Sequence, residues 1–180
     1  MIPAALALLF SLTDVRTGRA VPIHEIKSEI LVLVFTGARC PISRAYYRVL
    51  TDIEFTYRDR GVRVLAINSN ESESLAQIRR AAEQGGLGLT VLKDVRNALA
   101  DELRAEYTPE VFVLDRERTV RYHGAIGNST NPSADPSQVD AAHLRGALEA
   151  LLAGKPVPHP VVKGFGCRIE RSALLNPRGH

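Results

Sequence analysis

All the thiol chemistry open to this 180-residue chain rests on two cysteines, and one of them stands where a thiol becomes reactive. The apolar run Ile30-Leu31-Val32-Leu33-Val34-Phe35 breaks at Gly37 and delivers Cys40-Pro41-Ile42-Ser43 to the start of a helical pattern. Proline suits the first helical position, because the N–H it lacks would be unpaired there in any case. Cys40 then falls at the N-cap, facing unpaired backbone donors and the positive end of the helix dipole, both of which favour thiolate over thiol. Arg39 adds a neighbouring cation, so a thiol that titrates at about 8.5 in a peptide is expected to lie lower here. The competing reading, a buried core cysteine, fits poorly with a position after a turn and before a helix-start proline. Ser43 is either a helix-surface hydroxyl or a hydrogen-bond partner of the Cys40 sulfur.

Other residues could serve the same chemistry. Tyr107-Thr108-Pro109-Glu110 precedes the apolar stretch Val111-Phe112-Val113-Leu114, where Pro109 marks either a strand's first residue or a deliberate turn. Glu110 is either a solvated strand-end charge or a carboxylate that approaches Cys40 and relays protons. Arg44 and Arg48 share one helix face, solvated or forming a positive rim for anionic thiols; Arg48 can also pair with Asp52. Asn68 and Asn70 follow a strand's carboxyl end, where open α/β sheets place their sites, and Asn70 with Glu73 reads as a capping box.

The elements that must position these groups are legible from periodicity. Ile42, Ala45, Tyr46, Val49, Ile53 and Tyr57 recur at helical spacing up to Gly61. Residues 62–67 read as a buried strand, and a helix carrying Leu75 and Ile78 stops at Gly85-Gly86. A shorter helix spans 97–105, and a last one spans 138–152. Residues 127–138, rich in Asn, Ser, Pro and Asp, read as an exposed connection or lid. Strand–helix–strand units with right-handed crossovers give an α/β fold with a central mixed sheet flanked by helices.

Composition narrows the function. The length and apolar content suit one domain with a core of its own. Two cysteines and five scattered histidines are too few for a disulfide scaffold or a ligand-rich zinc site, so neither metal nor cofactor is expected. The net charge of +3 is spread along the chain, which argues against nucleic acid as a partner. Residues 1–10 are apolar but lack a basic lead, and no run is long enough to span a bilayer. The compartment stays open: cytoplasmic, or periplasmic if those residues are a truncated signal.

Taken together, the Cys40 turn, the Thr108-Pro109 turn before its strand, and the opening Phe10-Ser11-Leu12-Thr13-Asp14 with Thr17-Gly18 resemble the thioredoxin-like superfamily. The opening stretch looks like the first hairpin of its redoxin branch, the group related to alkyl hydroperoxide reductase and thiol-specific antioxidant proteins. Gly154-Lys155-Pro156-Val157-Pro158 followed by Gly166-Cys167-Arg168-Ile169 is similar to the tail of some uncharacterised bacterial redoxins. The resemblance implies a thioredoxin-like fold with an N-terminal hairpin and a cis bond at Thr108-Pro109. It also implies a Thr108 backbone free to pair with an extended substrate. The chain departs from the pattern in two places. Ser43 stands where dithiol oxidoreductases carry a second cysteine. Leu33 and Gly37 replace the proline and the Thr or Ser that peroxiredoxins place seven and three residues before their cysteine.

The expected organisation is an extension over 1–9, a redoxin domain over 10–153 and an extended tail over 154–180 that carries Cys167. The expected function is a thiol–disulfide oxidoreductase with Cys40 as nucleophile, Thr108 and Pro109 binding substrate, and Arg39, Pro41, Ser43 and Glu110 in support. Cys167 or an external thiol resolves the mixed disulfide; a Cys167 with no partner is equally open. The alternatives are a slow one-cysteine peroxidase and a non-catalytic peptide-binding module. The partner is then a protein or small-molecule disulfide or thiol, or a peroxide. Oligomeric state is not legible.

Overall fold

The computed structural model describes residues 10–128 and 139–172. The proposed extension at 1–9 and all but the start of the 127–138 connection lie outside the described residues, as does the end of the tail.

The sheet is built around β3 (Ile30–Phe35), whose every residue is buried. Successive side chains of a strand point to opposite faces, so a strand buried on both sides must be apolar throughout and feeds two cores at once. Ile30, Val32 and Val34 enter one core, and Leu31, Leu33 and Phe35 enter the other. On one side β3 pairs in parallel with β4 (Val62–Asn68), which pairs in parallel with β5 (Thr90–Lys93). On its other side lies the antiparallel β7 (Glu110–Leu114), followed by β8 (Val120–Gly124). The hairpin β1 (Ser11–Asp14) and β2 (Ala20–Pro22) closes the β5 edge, and β9 (Val161–Val162) lies parallel to β8 at the other. The order is β2-β1-β5-β4-β3-β7-β8-β9. A second, two-stranded pairing joins β6 (Tyr107–Thr108) to β10 (Cys167–Arg168).

The first core is covered by α2 (Tyr47–Tyr57), α3 (Leu75–Gly85) and α5 (Ala142–Leu152) through Leu50, Ile53, Ile78, Leu144 and Leu148. The second is covered by α4 (Ala98–Leu103) through Leu99 and Leu103, together with Ile23 and Ile169. Among the described residues no helix is long and apolar enough to cross a membrane.

Two local expectations change. The helix after Cys40 is not continuous: α1 (Pro41–Ala45) ends at Tyr46, and α2 begins at Tyr47. The break falls at two consecutive tyrosines that are both buried. Nor is Asn70 a helix cap. Ser74 caps α3, with a reciprocal box to Gln77. Glu73 is drawn inward instead.

Candidate active site

Cys40 is the N-cap of α1, with Pro41 behind it, and the backbone N–H of Ser43 points at its sulfur at 3.4 Å. This is the donor arrangement that a helix start offers to a thiolate. The Ser43 side chain does something else. It is fully buried, and its hydroxyl accepts the N–H of Gly37 at 3.1 Å. The expectation of a surface hydroxyl is therefore corrected, and the sulfur is met by the Ser43 backbone N–H while the Ser43 hydroxyl tethers the turn before Cys40 to the helix after it. Tyr47 tethers it a second time, its hydroxyl donating to the Gly37 carbonyl at 3.3 Å. Burial, with Glu73 nearby, pushes that hydroxyl up to about 12, so it remains a donor.

Glu73 completes the turn. Its carboxylate, nearly fully buried, accepts the N–H groups of Ala38 and Arg39, each at 2.9 Å, and the side-chain amides of Asn68 and Asn70. Burial pushes the Glu73 carboxyl up, but these hydrogen bonds outweigh it and hold the group below the ordinary carboxylate value. Lys93 underlies the same cluster, its ammonium donating to the Asn68 side chain and the Asn70 carbonyl. Its burial lowers it, and the carboxylates led by Glu73 offset only part of that. Sequence reasoning missed both residues. The signal is the polar run Asn68-Ser69-Asn70-Glu71-Ser72-Glu73 at a strand's carboxyl end, in which Glu73 also fits a capping box.

Arg39 is directed at this support rather than at the sulfur. Its guanidinium donates to the carbonyl and hydroxyl oxygens of Ser72 and lies 3.7 Å from Glu73. Glu110 is also placed differently from the proton-relay reading. Its carboxylate accepts the N–H groups of Glu106 and Tyr107 and so shapes the turn before Pro109. Asp52, expected to pair with Arg48, meets Arg145 at 2.6 Å instead.

The Thr108-Pro109 bond is cis. The Thr108 carbonyl lies 3.1 Å from the Cys40 sulfur, a contact that a protonated thiol there would turn into a hydrogen bond. Its edge is not free, which corrects the implied docking mode. β10 occupies it, with Cys167 opposite Thr108 and Arg168 opposite Tyr107. Cys40 and Cys167 are joined in a disulfide, with Cα atoms 6.0 Å apart. Arg39, Cys40, Asn70, Glu73, Cys167 and Arg168, with Glu170, surround an opening of about 180 Å³ beside the bond. Among the described residues no cluster of three or more His, Cys, Asp or Glu could hold a metal ion.

A thioredoxin-like domain that brings two sulfurs together beside a helix start and a proline turn has the layout of the thiol oxidoreductases in general. The chain belongs to the AhpC/TSA family, whose sequence model matches residues 4–123. It is similar over its full fold to an uncharacterised conserved protein from Geobacillus kaustophilus, at 29% identity and a TM-score of 0.85, covering 96% of this chain and 94% of that one. A hypothetical protein from Sinorhizobium meliloti 1021 is similar at 31% identity and a TM-score of 0.82, covering 96% and 97%. A secreted Mycobacterium tuberculosis disulfide oxidoreductase homologous to E. coli DsbE shares the fold at 17% identity and a TM-score of 0.63, covering 79% and 96%. No curated protein matches the chain.

Proposed function

We propose that the protein is a thiol–disulfide oxidoreductase whose working couple is Cys40 and Cys167. The observation that carries this reading is the bridged pair itself, one sulfur at a helix N-cap and the other on a strand laid against the cis-proline turn. In the reduced protein the Cys40 thiolate attacks a substrate disulfide, from a protein or a small molecule. One substrate sulfur leaves as thiolate, and a mixed disulfide to Cys40 remains. Cys167 attacks the Cys40 sulfur, the internal disulfide forms, and the second substrate thiolate leaves. The substrate has gained two electrons, the pair has lost two, and an external thiol restores the dithiol. Family membership and the oxidoreductase of like fold support this reading.

Peroxide reduction has less support. A Cβ at Gly37, where peroxiredoxins carry Thr or Ser, would stand 3.0 Å from Asn70, Cys40 and Thr108 side-chain atoms. A peptide-binding module would need the Thr108 edge that β10 fills.

Equilibration of the folded protein in glutathione redox buffers, followed by acid quench and alkylation, tests the proposal. The pair is expected to half-oxidise above about −300 mV, the region of working couples, and Cys40→Ser is expected to abolish disulfide turnover. A pair that stays oxidised below that potential, with no turnover, would make the bond structural and overturn the reading.

A further inference from the structure

The oxidised protein is the form that meets an electron donor, and the way it holds Cys167 limits what that donor can be. We infer, resting on the proposed couple, that the donor is a low-molecular-weight thiol and not a polypeptide thiol that pairs along the cis-proline turn. A polypeptide partner uses such an edge by adding a strand, which needs the Thr108 backbone. Here Cys167 lies opposite Thr108, and Gly166 is pressed so closely on the Thr108 carbonyl that a Cβ there would collide with it.

The occupying segment is fixed at both ends. Upstream, β9 adds to β8, with the His123 N–H donating to Pro160 O at 2.9 Å and the Ala125 N–H to Val162 O at 3.0 Å. Downstream, the Ile169 N–H donates to Glu106 O at 2.9 Å, and the Ile169 side chain, 5% exposed, belongs to the second core. The Glu170 N–H donates to the Asn70 side chain at 2.9 Å, Arg171 meets Asp101 at 2.8 Å, and the buried Ser172 donates its N–H to Asn97 at 2.8 Å. Freeing Thr108 therefore means peeling off all these contacts and exposing Ile169. An approach that leaves the segment in place is the opening of about 180 Å³ beside the bond. At roughly 30 Å³ per water that is a space for a few waters, and it is below the 300–1,000 Å³ typical of pockets for larger ligands.

The chemistry balances with two equivalents of a small thiol. The first thiolate enters the opening and attacks one sulfur of the pair; the Cys40–Cys167 bond breaks, and the other sulfur leaves as thiolate. The second attacks the resulting mixed disulfide and departs as the small disulfide, so two donor sulfurs are oxidised and the two protein sulfurs reduced.

The test compares one thiol in two settings: N-acetylcysteine amide, and a ten-residue extended peptide with a single central cysteine. Each is mixed with fully oxidised protein and quenched by alkylation over time. The small thiol is expected to open the pair at least tenfold faster than the peptide. Ile169→Ala, which loosens the segment at a side chain that does not line the opening, is expected to raise the peptide rate several-fold and to leave the small-thiol rate within threefold. A peptide as fast as the small thiol on the unaltered protein would overturn the inference while leaving the couple intact. A folded pair inert to both thiols would instead defeat the proposed couple, and this inference with it.

Discussion

Cys40 is held largely by its neighbours in sequence, with the Ser43 N–H three residues on and the Gly37–Ser43 tether spanning six. The segment that carries Cys167 is held across separations of 59 to 100 residues: Thr108 meets Cys167 itself, Asn97 meets Ser172 and Asn70 meets Glu170. One sulfur sits in a turn that folds with its own helix, and the other sits on a segment that exists only once the domain has formed. Local sites are expected to survive perturbation of distant parts, whereas a segment assembled from remote contacts loosens as a unit. Glu73 links the two, since it braces the Cys40 turn from 35 residues away while its neighbours Asn70, Glu71 and Ser72 hold Glu170.

The largest effect should come from cutting the bond that joins the two regions. It closes a separation of 127 residues, for which chain entropy gives about 5 kcal/mol. Urea unfolding of oxidised and reduced protein is expected to differ by about that amount. A difference under about 1 kcal/mol would mean that the reduced unfolded chain already keeps the regions together.

Glu73→Ala comes next, because it strands two backbone N–H groups and leaves Lys93 without the carboxylate that compensates its charge most. Removing one partner of a buried charge cluster costs about 3–5 kcal/mol. The same residue carries a pH signature. Its folded-state pKa is depressed, so its contribution is present above the ordinary carboxylate pKa and is lost as pH falls through the depressed value. The acid limb of a stability–pH curve should flatten in Glu73→Gln. An unchanged limb would move the linkage to another carboxylate.

Ser43→Ala should be milder and confined to the Cys40 side. It leaves the buried Gly37 N–H without its acceptor, a loss of about 1–3 kcal/mol, and should leave amide exchange at Ile169 unchanged. Coupled loosening at Ile169 would break the contrast between the two regions. The smallest effect belongs to Arg168→Ala, whose guanidinium stacks on Tyr107 in solvent 5.4 Å from the ring centroid. A double-mutant cycle with Tyr107→Leu should give about 0.5–1 kcal/mol.

The Cys40 side was legible because its information is local. A glycine, a cysteine and a proline in that order state a turn, an N-cap and a first helical residue, whatever packs against them. Likewise the unbroken apolar run 30–35 states a strand buried on both faces. What failed to show was the use of polar side chains. Asn70 and Glu73 each had a plausible local role, and each was drawn into a hydrogen bond that three-dimensional proximity alone supplies, whereas Glu110 turned to N–H groups three and four residues before it.

The sequence by itself determined the strand–turn–helix at Cys40, the alternation of elements that makes a thioredoxin-like sheet, and the absence of a second cysteine near the first. Only the tertiary structure decided that Cys167 reaches Cys40, that β10 takes the Thr108 edge, and that Glu73 is a buried brace. The physical reason lies in range. Backbone donors at a helix start are set by a few consecutive residues, whereas pairing across 127 positions depends on where the whole sheet places two surfaces, which no short pattern encodes.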